Sequence, residues 1–310
     1  MHSQYGKYFK KVFSVLARIP VGTTVDAATG FRFCRTLICQ EILERTHDGM
    51  DASLNIFADE EDSDDEREII TRNSWRSGDL HLFYSLALIA PGHGDSLWNA
   101  SACIAEHLAF HRTELFPAET MQWPPQKSFE FGAGAALPSM VLAKMHTETV
   151  FVSDQKANAE TFTALERTAR DNAEHWGLDY NRTFRILAHN WGDDIGALRN
   201  EHSDCFDIDV LVASDCIYNP EYHDALLQSA SRLINQRGGL FIVGFSFHTN
   251  VESSEVLGFF AMATTDKFGF KVVKELEKIY DSQLGIGCTD SDRGTVFIKI
   301  LAHRNATVFL

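Results

Sequence analysis

Residues 128–139 read SFEFGAGAALPS, and this stretch decides the predicted fold. An apolar segment ends at Gly132 and Gly134, and Pro138 then occupies a position that proline favours at the start of a helix. The two glycines allow a tight turn, and the N–H groups at the start of the helix can hold an anion. The pattern therefore predicts a strand, a glycine loop and a helix, with a ligand at the loop. A tight strand-to-helix turn that binds nothing is the alternative.

An acidic residue follows the next apolar segment. Asp154 comes 22 residues after Gly132 and ends the run Val150–Asp154. A carboxylate at this point of a strand–helix–strand unit can hold the hydroxyl groups of a ribose. The two features together predict a ligand with an adenosyl group, although Asp154 capping the following helix is the alternative. Leu137 stands where the third glycine of G-x-G-x-x-G would be, which argues against NAD.

From Leu80 onward, short apolar segments alternate with amphipathic ones, as is typical of a parallel sheet covered by helices on both faces. The predicted strands lie near 128–132, 149–153, 183–188, 207–214, 239–246, 270–278 and 294–302. The predicted helices lie near 98–110, 138–146, 157–176, 220–236 and 252–267. Residues 281–293 contain no helix, so the last two strands must pair as a hairpin. The fold class is therefore α/β: a doubly wound, mostly parallel, seven-stranded, Rossmann-like sheet with a C-terminal antiparallel hairpin.

Polar and aromatic residues follow the third and fourth strands, at the edge where a sheet of this kind binds ligands. After the third strand, Trp191 could pack on an adenine ring and Asp193 could accept a hydrogen bond from its amine. After the fourth strand, Ser214, Asp215 and Tyr218 would face the substrate. A tryptophan in the core, and an aspartate that caps a helix beside a packed tyrosine, are the alternatives.

Residues 1–79 differ from the rest and are predicted to be an N-terminal extension of a domain spanning residues 80–310. Its stretch 58–68 includes eight acids and one arginine, which contribute −7 to a formal net charge of −15, and it is expected to be disordered. The negative charge argues against a nucleic-acid partner. No apolar run suits a membrane span, and the N-terminus lacks the pattern of a signal peptide. We therefore expect a cytoplasmic protein. We also expect it to be a monomer.

The histidines and cysteines predict no metal site and no disulfide. His107 and His111 are four residues apart, but they do not form an H-E-x-x-H motif and no third ligand is evident. The six cysteines show no C-x-x-C pair, so free thiols are expected.

Taken together, these stretches resemble the seven-strand, class I methyltransferases of methyltransferase family 16, which modify protein lysines and related amines. The resemblance covers residues 80–301. It rests on five motifs: Leu97-Trp98-Asn99-Ala100, Glu130–Gly134, Asp154, Trp191-Gly192 and Asp215–Tyr218.

The resemblance implies S-adenosyl-L-methionine as the cofactor. The residues that it implies as cofactor contacts are Trp98, Glu130, Gly132, Ala133, Gly134, Asp154, Trp191 and Ser214. It also implies that Asp215 and Tyr218 are catalytic residues, which would orient the amine and line its path.

Within the family, the chain is similar to the branch first described as nicotinamide N-methyltransferase-like, through residues 53–57, Gly134–Ser139 and Ser214-Asp215. This branch implies a protein substrate, methylated at its N-terminal amine or an adjacent lysine, namely translation elongation factor 1-alpha. Residues 91–96, Ser153-Asp154-Gln155 and 247–250 depart from the branch's pattern, and these changes concern the substrate more than the cofactor. A small-molecule N-methyltransferase acting on a nicotinamide-like compound, and a binding module without turnover, remain alternatives.

Overall fold

In a computed structural model of the chain, the described residues are 70–87, 96–116, 123–157, 159–247, 251–279 and 295–307. They all belong to one compact unit, Glu66–Leu310. The predicted acidic stretch 58–68 and the connection 281–293 lie outside the described residues.

The described part begins with an antiparallel hairpin, made of β1 (Ile70–Ser77) and β2 (Leu80–Ala87). The strands are joined at Gly78, whose φ of +54° suits a tight turn. β1 lies in the segment predicted as the N-terminal extension, and β2 lies in the predicted domain. The predicted boundary between residues 79 and 80 therefore falls within the hairpin.

Seven further strands form the central sheet, and its topology confirms the predicted fold class. They are β3 (Lys127–Phe131), β4 (Thr149–Asp154), β5 (Phe184–Ala188), β6 (Val210–Ser214), β7 (Leu240–Phe245), β8 (Phe270–Ile279) and β9 (Thr295–His303). Their spatial order is β5-β4-β3-β6-β7-β9-β8. Strands β3 to β7 pair in parallel, whereas β9 pairs antiparallel with both β7 and β8. Of these seven strands, β9 is therefore the one that runs against the others.

Helices connect the strands and cover the sheet. They are α1 (Asn99–Phe110), α2 (Arg112–Leu115), α3 (Leu137–Lys144), α4 (Ala159–Trp176), α5 (Tyr180–Thr183), α6 (Ile195–Glu201), α7 (His223–Leu233) and α8 (Ser253–Ala263). None of them is long and apolar enough to cross a lipid bilayer within the described part of the chain.

The helices bury the two faces of the sheet in two separate cores, because alternate side chains of a strand point to opposite faces. Val150, Val152 and Val212 pack in the core that contains residues of α1, α3 and α4. Phe151 and Leu211 pack in the core that contains residues of α6, α7 and α8. Burial on both faces explains why these strands are apolar throughout, and this continuity made them easy to predict.

The sequence pattern missed some of the short helices. Helix α6 has Gly196 in its first turn, a residue that weakens a helical pattern, but Asp194 stabilises its start by accepting a hydrogen bond from the Gly196 N–H. The helix predicted at 220–236 is divided into a 3₁₀ turn, Pro220–Tyr222, and helix α7.

Side chains of α4 attach the hairpin to the rest of the domain. The amide of Asn172 accepts from the Phe83 N–H at 3.0 Å and donates to the Phe83 carbonyl at 2.7 Å. The Ser85 N–H donates to the Thr168 hydroxyl at 2.9 Å. Both helix side chains are fully buried, so they complete the hydrogen bonds of the β2 edge in place of another strand.

Candidate functional site

The glycine loop after β3 turns through left-handed backbone conformations at Gly132, Gly134 and Ala136, whose φ values are +54°, +49° and +55°. A Cβ atom at Gly132 would lie 3.1 Å from Cys216 Sγ and 3.2 Å from Trp191 Cζ2. A Cβ atom at Gly134 would have no atom within 4 Å. Glycine is therefore needed at 132 for packing, whereas the backbone at 134 borders open space where a ligand could approach.

Hydrogen bonds attach the loop to the end of β4. The Gly134 N–H donates to Asp154 Oδ2 at 3.1 Å, and the Gln155 N–H donates to Asp154 Oδ1 at 2.8 Å. The Ala133 N–H donates to the Ser153 carbonyl at 2.9 Å. Asp154 is 9% exposed, and burial raises the pKa of its carboxyl group. The two predicted motifs therefore lie side by side.

Glu130 lies beneath the loop and is almost fully buried. Its Oε2 accepts from the Ser139 N–H at 3.0 Å and from the Ser139 hydroxyl at 2.5 Å. Its Oε1 is buried without a hydrogen-bond partner among the described residues. Burial raises the pKa of Glu130 to about 8, with a further contribution from the charge of Asp154 and against the effect of the Ser139 hydrogen bonds. A buried oxygen without a partner is costly, so this atom offers a hydrogen-bonding position to a ligand.

The loop after β5 brings Trp191 to the glycine loop. The His189 N–H donates to the Asp154 carbonyl at 2.8 Å. Ser229 of α7 holds the loop from the other side, because its hydroxyl accepts from the Gly192 N–H and lies 2.9 Å from His189 Nε2. The Trp191 ring lies edge-on to Tyr222, with 6.2 Å between ring centroids.

Asp193, the suggested acceptor for an adenine amine, forms an ion pair with Lys156 at 2.7 Å on the surface. The hydrogen bond from Lys156 lowers the pKa of Asp193, with the Lys156 charge acting in the same direction.

The end of β6 carries the remaining predicted residues. Ser214 has a buried hydroxyl with no partner among the described residues. Asp215 has a φ of +53° and a carboxylate that accepts two backbone N–H groups, from Ala100 at 3.3 Å and from Ser246 at 2.9 Å. Tyr218 is half-buried, which raises its pKa.

Trp98 directly precedes α1, and the start of that helix contacts Asp215 at the end of β6. Trp98 occupies the N-cap position of the helix, and its carbonyl accepts from the Ser101 N–H at 3.1 Å. The helix start lies beside Asp215, since the Ala100 N–H donates to that carboxylate. The structure thus places the predicted residues on the ends of β3, β4 and β6, the loop after β5 and the start of α1.

Sequence reasoning missed the residues that support the site from outside the motifs. Ser139 binds Glu130, Ser229 holds the Trp191 loop, and the Ser246 N–H binds Asp215. A serine in the first turn of α3 was a weak signal for the first of these. The others come from α7 and from the residue after β7, so no local pattern marks them. In the described part of the chain, no group of three His, Cys, Asp or Glu side chains could hold a metal ion.

Comparison with known proteins gives one family and a group of similar fungal proteins. A family model described as "Lysine methyltransferase" matches residues 85–264. Three fungal proteins named "Protein N-terminal and lysine N-methyltransferase EFM7" are similar to the chain. The protein of Candida albicans is 27% identical over 189 residues, which is 59% of this chain and 68% of that protein. The protein of Yarrowia lipolytica is 29% identical over 210 residues, 64% and 73% of the two chains. The protein of Emericella nidulans is 25% identical over 198 residues, 63% and 73%.

A solved structure from Streptococcus mutans, provisionally described as an S-adenosylmethionine-dependent methyltransferase, superimposes with a TM-score of 0.50. It is 12% identical, and the match covers 74% of this chain and 55% of that one. At this level of identity the similarity supports the fold alone.

Proposed function

The chain belongs to the lysine methyltransferase family, and from this premise we propose that it methylates the N-terminal amine or an adjacent lysine of translation elongation factor 1-alpha. Its cofactor is S-adenosyl-L-methionine, and its substrate is a protein. The fungal relatives are named for action on protein N-termini and lysines, which supports the choice of amine. We also propose that the protein works as a cytoplasmic monomer.

One observation supports the cofactor site above the others: a buried carboxyl oxygen without a partner belongs to the strand that leads into a glycine facing open space. The oxygen is Glu130 Oε1, and the glycine is Gly134. S-adenosylmethionine supplies an electrophilic methyl group on a positively charged sulfur. We assign Glu130 to the amino-acid part of the cofactor, Asp154 to the ribose hydroxyls and Trp191 to the adenine.

We assign the residues at the end of β6 to the amine. The attacking nitrogen must be neutral, because a protonated amine has no lone pair to donate. An α-amine has a pKa of about 7.7–8.0 and a lysine one of about 10.4, so deprotonating the α-amine costs roughly 3–4 kcal/mol less. Asp215 would orient the amine, and Tyr218 would line its path by a hydrogen bond or a cation–π contact. Holding the two reacting groups in line can supply about 7–11 kcal/mol of the rate enhancement.

The test is to incubate the protein with S-adenosylmethionine labelled in its methyl group and purified elongation factor 1-alpha, and to locate the label by mass spectrometry. We expect label on the N-terminal peptide. A substrate with an acetylated N-terminus should acquire no label at its α-amine, whereas any lysine that is methylated should still be labelled. The Asp154→Ala variant serves as the control for a weakened cofactor site.

A parallel reaction with a cell lysate separates the alternatives. Label in a small metabolite would replace the proposed substrate with a small molecule. No label anywhere, from a protein that still binds S-adenosylhomocysteine, would indicate a binding module without turnover.

A further inference from the structure

Helix α1 begins beside the site without a cap from its own residues. Trp98 occupies the N-cap position but makes no side-chain hydrogen bond to the helix, and the first turn contains no acid. The first N–H groups of a helix need acceptors from elsewhere, and a negative charge there is favourable. Asp215 supplies both, because its Oδ2 accepts from the Ala100 N–H. The cap therefore comes from a residue 115 positions later in the chain.

Further hydrogen bonds hold Asp215 itself in place. Its N–H donates to the Gly244 carbonyl at 2.8 Å, and its Oδ1 accepts from the Ser246 N–H at 2.9 Å. The residue is 8% exposed and has a left-handed backbone conformation, which a non-glycine residue rarely adopts. These bonds join the end of β6 to the end of β7, and the contact with Ala100 adds the start of α1.

The helix also rests directly on β7. A Cβ atom at Gly244 would lie 2.7 Å from Ile104 Cδ1 and 3.4 Å from Ala100 Cβ, both of which are buried. A side chain at 244 would meet Ile104 first, so the Ile104 side chain or α1 itself would have to shift. Two contacts therefore help to position the start of α1: its close approach to Gly244 and its bond to Asp215.

We propose that Asp215 is a positioning residue as well as a neighbour of the amine: it caps α1 and thereby holds Trp98 at the cofactor site. This inference rests on the proposed function, which assigns Trp98 to the cofactor. A residue that acted on the amine alone would affect turnover without changing cofactor affinity. If Asp215 also acts through α1, its substitution must change the affinity of the protein for S-adenosylhomocysteine, the product formed from the cofactor.

The test is calorimetry with S-adenosylhomocysteine, which requires no protein substrate. We expect Asp215→Ala to weaken binding about tenfold, an amount within the free-energy range for the loss of a helix cap. Asp215→Asn should weaken it less, because the asparagine oxygen can accept one of the two N–H groups and asparagine tolerates left-handed conformations. Gly244→Ala should weaken binding as well, since the added methyl group crowds Ile104 of α1 while the Asp215 carboxylate is retained.

Asp209 offers a matched control at the opposite end of the same strand. Its Oδ2 also accepts two backbone N–H groups, from Gln126 at 2.9 Å and Lys127 at 3.0 Å. Asp209→Asn should leave S-adenosylhomocysteine affinity within about twofold of the unmodified protein. Thermal unfolding shows which variants are folded. If Asp215→Ala is unfolded, the affinities of Asp215→Asn and Gly244→Ala test the inference in its place.

Unchanged affinity in folded Asp215 variants would overturn the inference and leave a direct role on the amine. An equal loss in Asp209→Asn would also overturn it, because the effect would then be general to the sheet. If the unmodified protein itself binds no S-adenosylhomocysteine, the proposed function fails, and with it the inference.

Discussion

The backbone N–H of Gly134 donates a hydrogen bond to Asp154 Oδ2 across 3.1 Å. These two residues come from separate strand–helix units, yet the bond makes the glycine loop and the carboxylate one structural element. A ligand that contacts the loop therefore also lies close to the acid.

Gly134→Ala should lower the affinity for S-adenosylhomocysteine by at least about tenfold, because the new methyl group would occupy the open space assigned to the cofactor. The left-handed backbone at 134 should also cost about 1–2 kcal/mol of stability. Gly177→Ala is the control, since Gly177 has a φ of +68° and also has no atom within 4 Å of an added Cβ. It should lose similar stability and keep its affinity. Equal affinity in the two variants, measured by calorimetry, would contradict the site assignment.

Glu130 should make the stability of the protein depend on pH. Burial raises its pKa to about 8 in the folded state, whereas an unfolded glutamate titrates near about 4.3. Between these values the folded protein retains a proton that the unfolded chain has lost. Stability should therefore fall as pH rises, by up to about 1.4 kcal/mol per pH unit. Urea unfolding between pH 5 and about 8 measures this slope.

Two variants isolate that effect. Glu130→Gln cannot titrate, so its stability should be flatter across the same pH range. Ser139→Ala removes a hydrogen bond that favours the ionised carboxylate, so it should raise the pKa of Glu130 and extend the slope above pH 8. A slope that is unchanged in Glu130→Gln would assign the pH dependence to another group.

Tyr218 should contribute to turnover through its ring more than through its hydroxyl group. Tyr218→Ala should lower kcat/KM for elongation factor 1-alpha about 30-fold, which corresponds to a cation–π contact of about 2 kcal/mol with the positive charge that develops on the nitrogen during methyl transfer. Tyr218→Phe keeps the ring and should lose about fivefold or less. Tyr180 of α5 is the control, because it is also partly buried and its ring makes a cation–π contact. The Arg170 guanidinium carbon lies 4.1 Å from the centroid of that ring. If Tyr180→Ala lowered kcat/KM as much, the effect would not be local to the site.

Asn172 should be necessary for the stability of the hairpin. Asn172→Ala leaves the Phe83 N–H and carbonyl without their partner, and each unpaired buried group costs about 1–3 kcal/mol. We expect a loss of about 2–4 kcal/mol in the free energy of unfolding, measured with urea. Thr163 lies exposed on the same helix, so Thr163→Ala should change the free energy of unfolding by less than about 0.5 kcal/mol. Similar losses in the two variants would show that the Asn172 bonds contribute little.

The sequence predicted the central sheet well because its signals are local. Each buried strand is a short apolar run, the helices α4 and α7 each have an apolar stripe, and turns separate the elements. The connection without a helix before β9 predicted the antiparallel end of the sheet, which the pairing of β9 with β7 and β8 confirms. Strand β1 was not predicted, because its residues are mostly exposed or half-buried and its stability depends on its pairing with β2.

The sequence by itself determined the α/β fold, the family and the residues of the glycine loop, since these depend on residue types at fixed spacings along the chain. Only the tertiary structure decided how those residues are held. It placed Asp215 against the N–H of Ala100, and it buried Glu130 deeply enough to shift the proton equilibrium of its carboxyl group. Hydrogen bonds between distant segments and the loss of water around a charge arise only when the chain packs, so no local pattern records them.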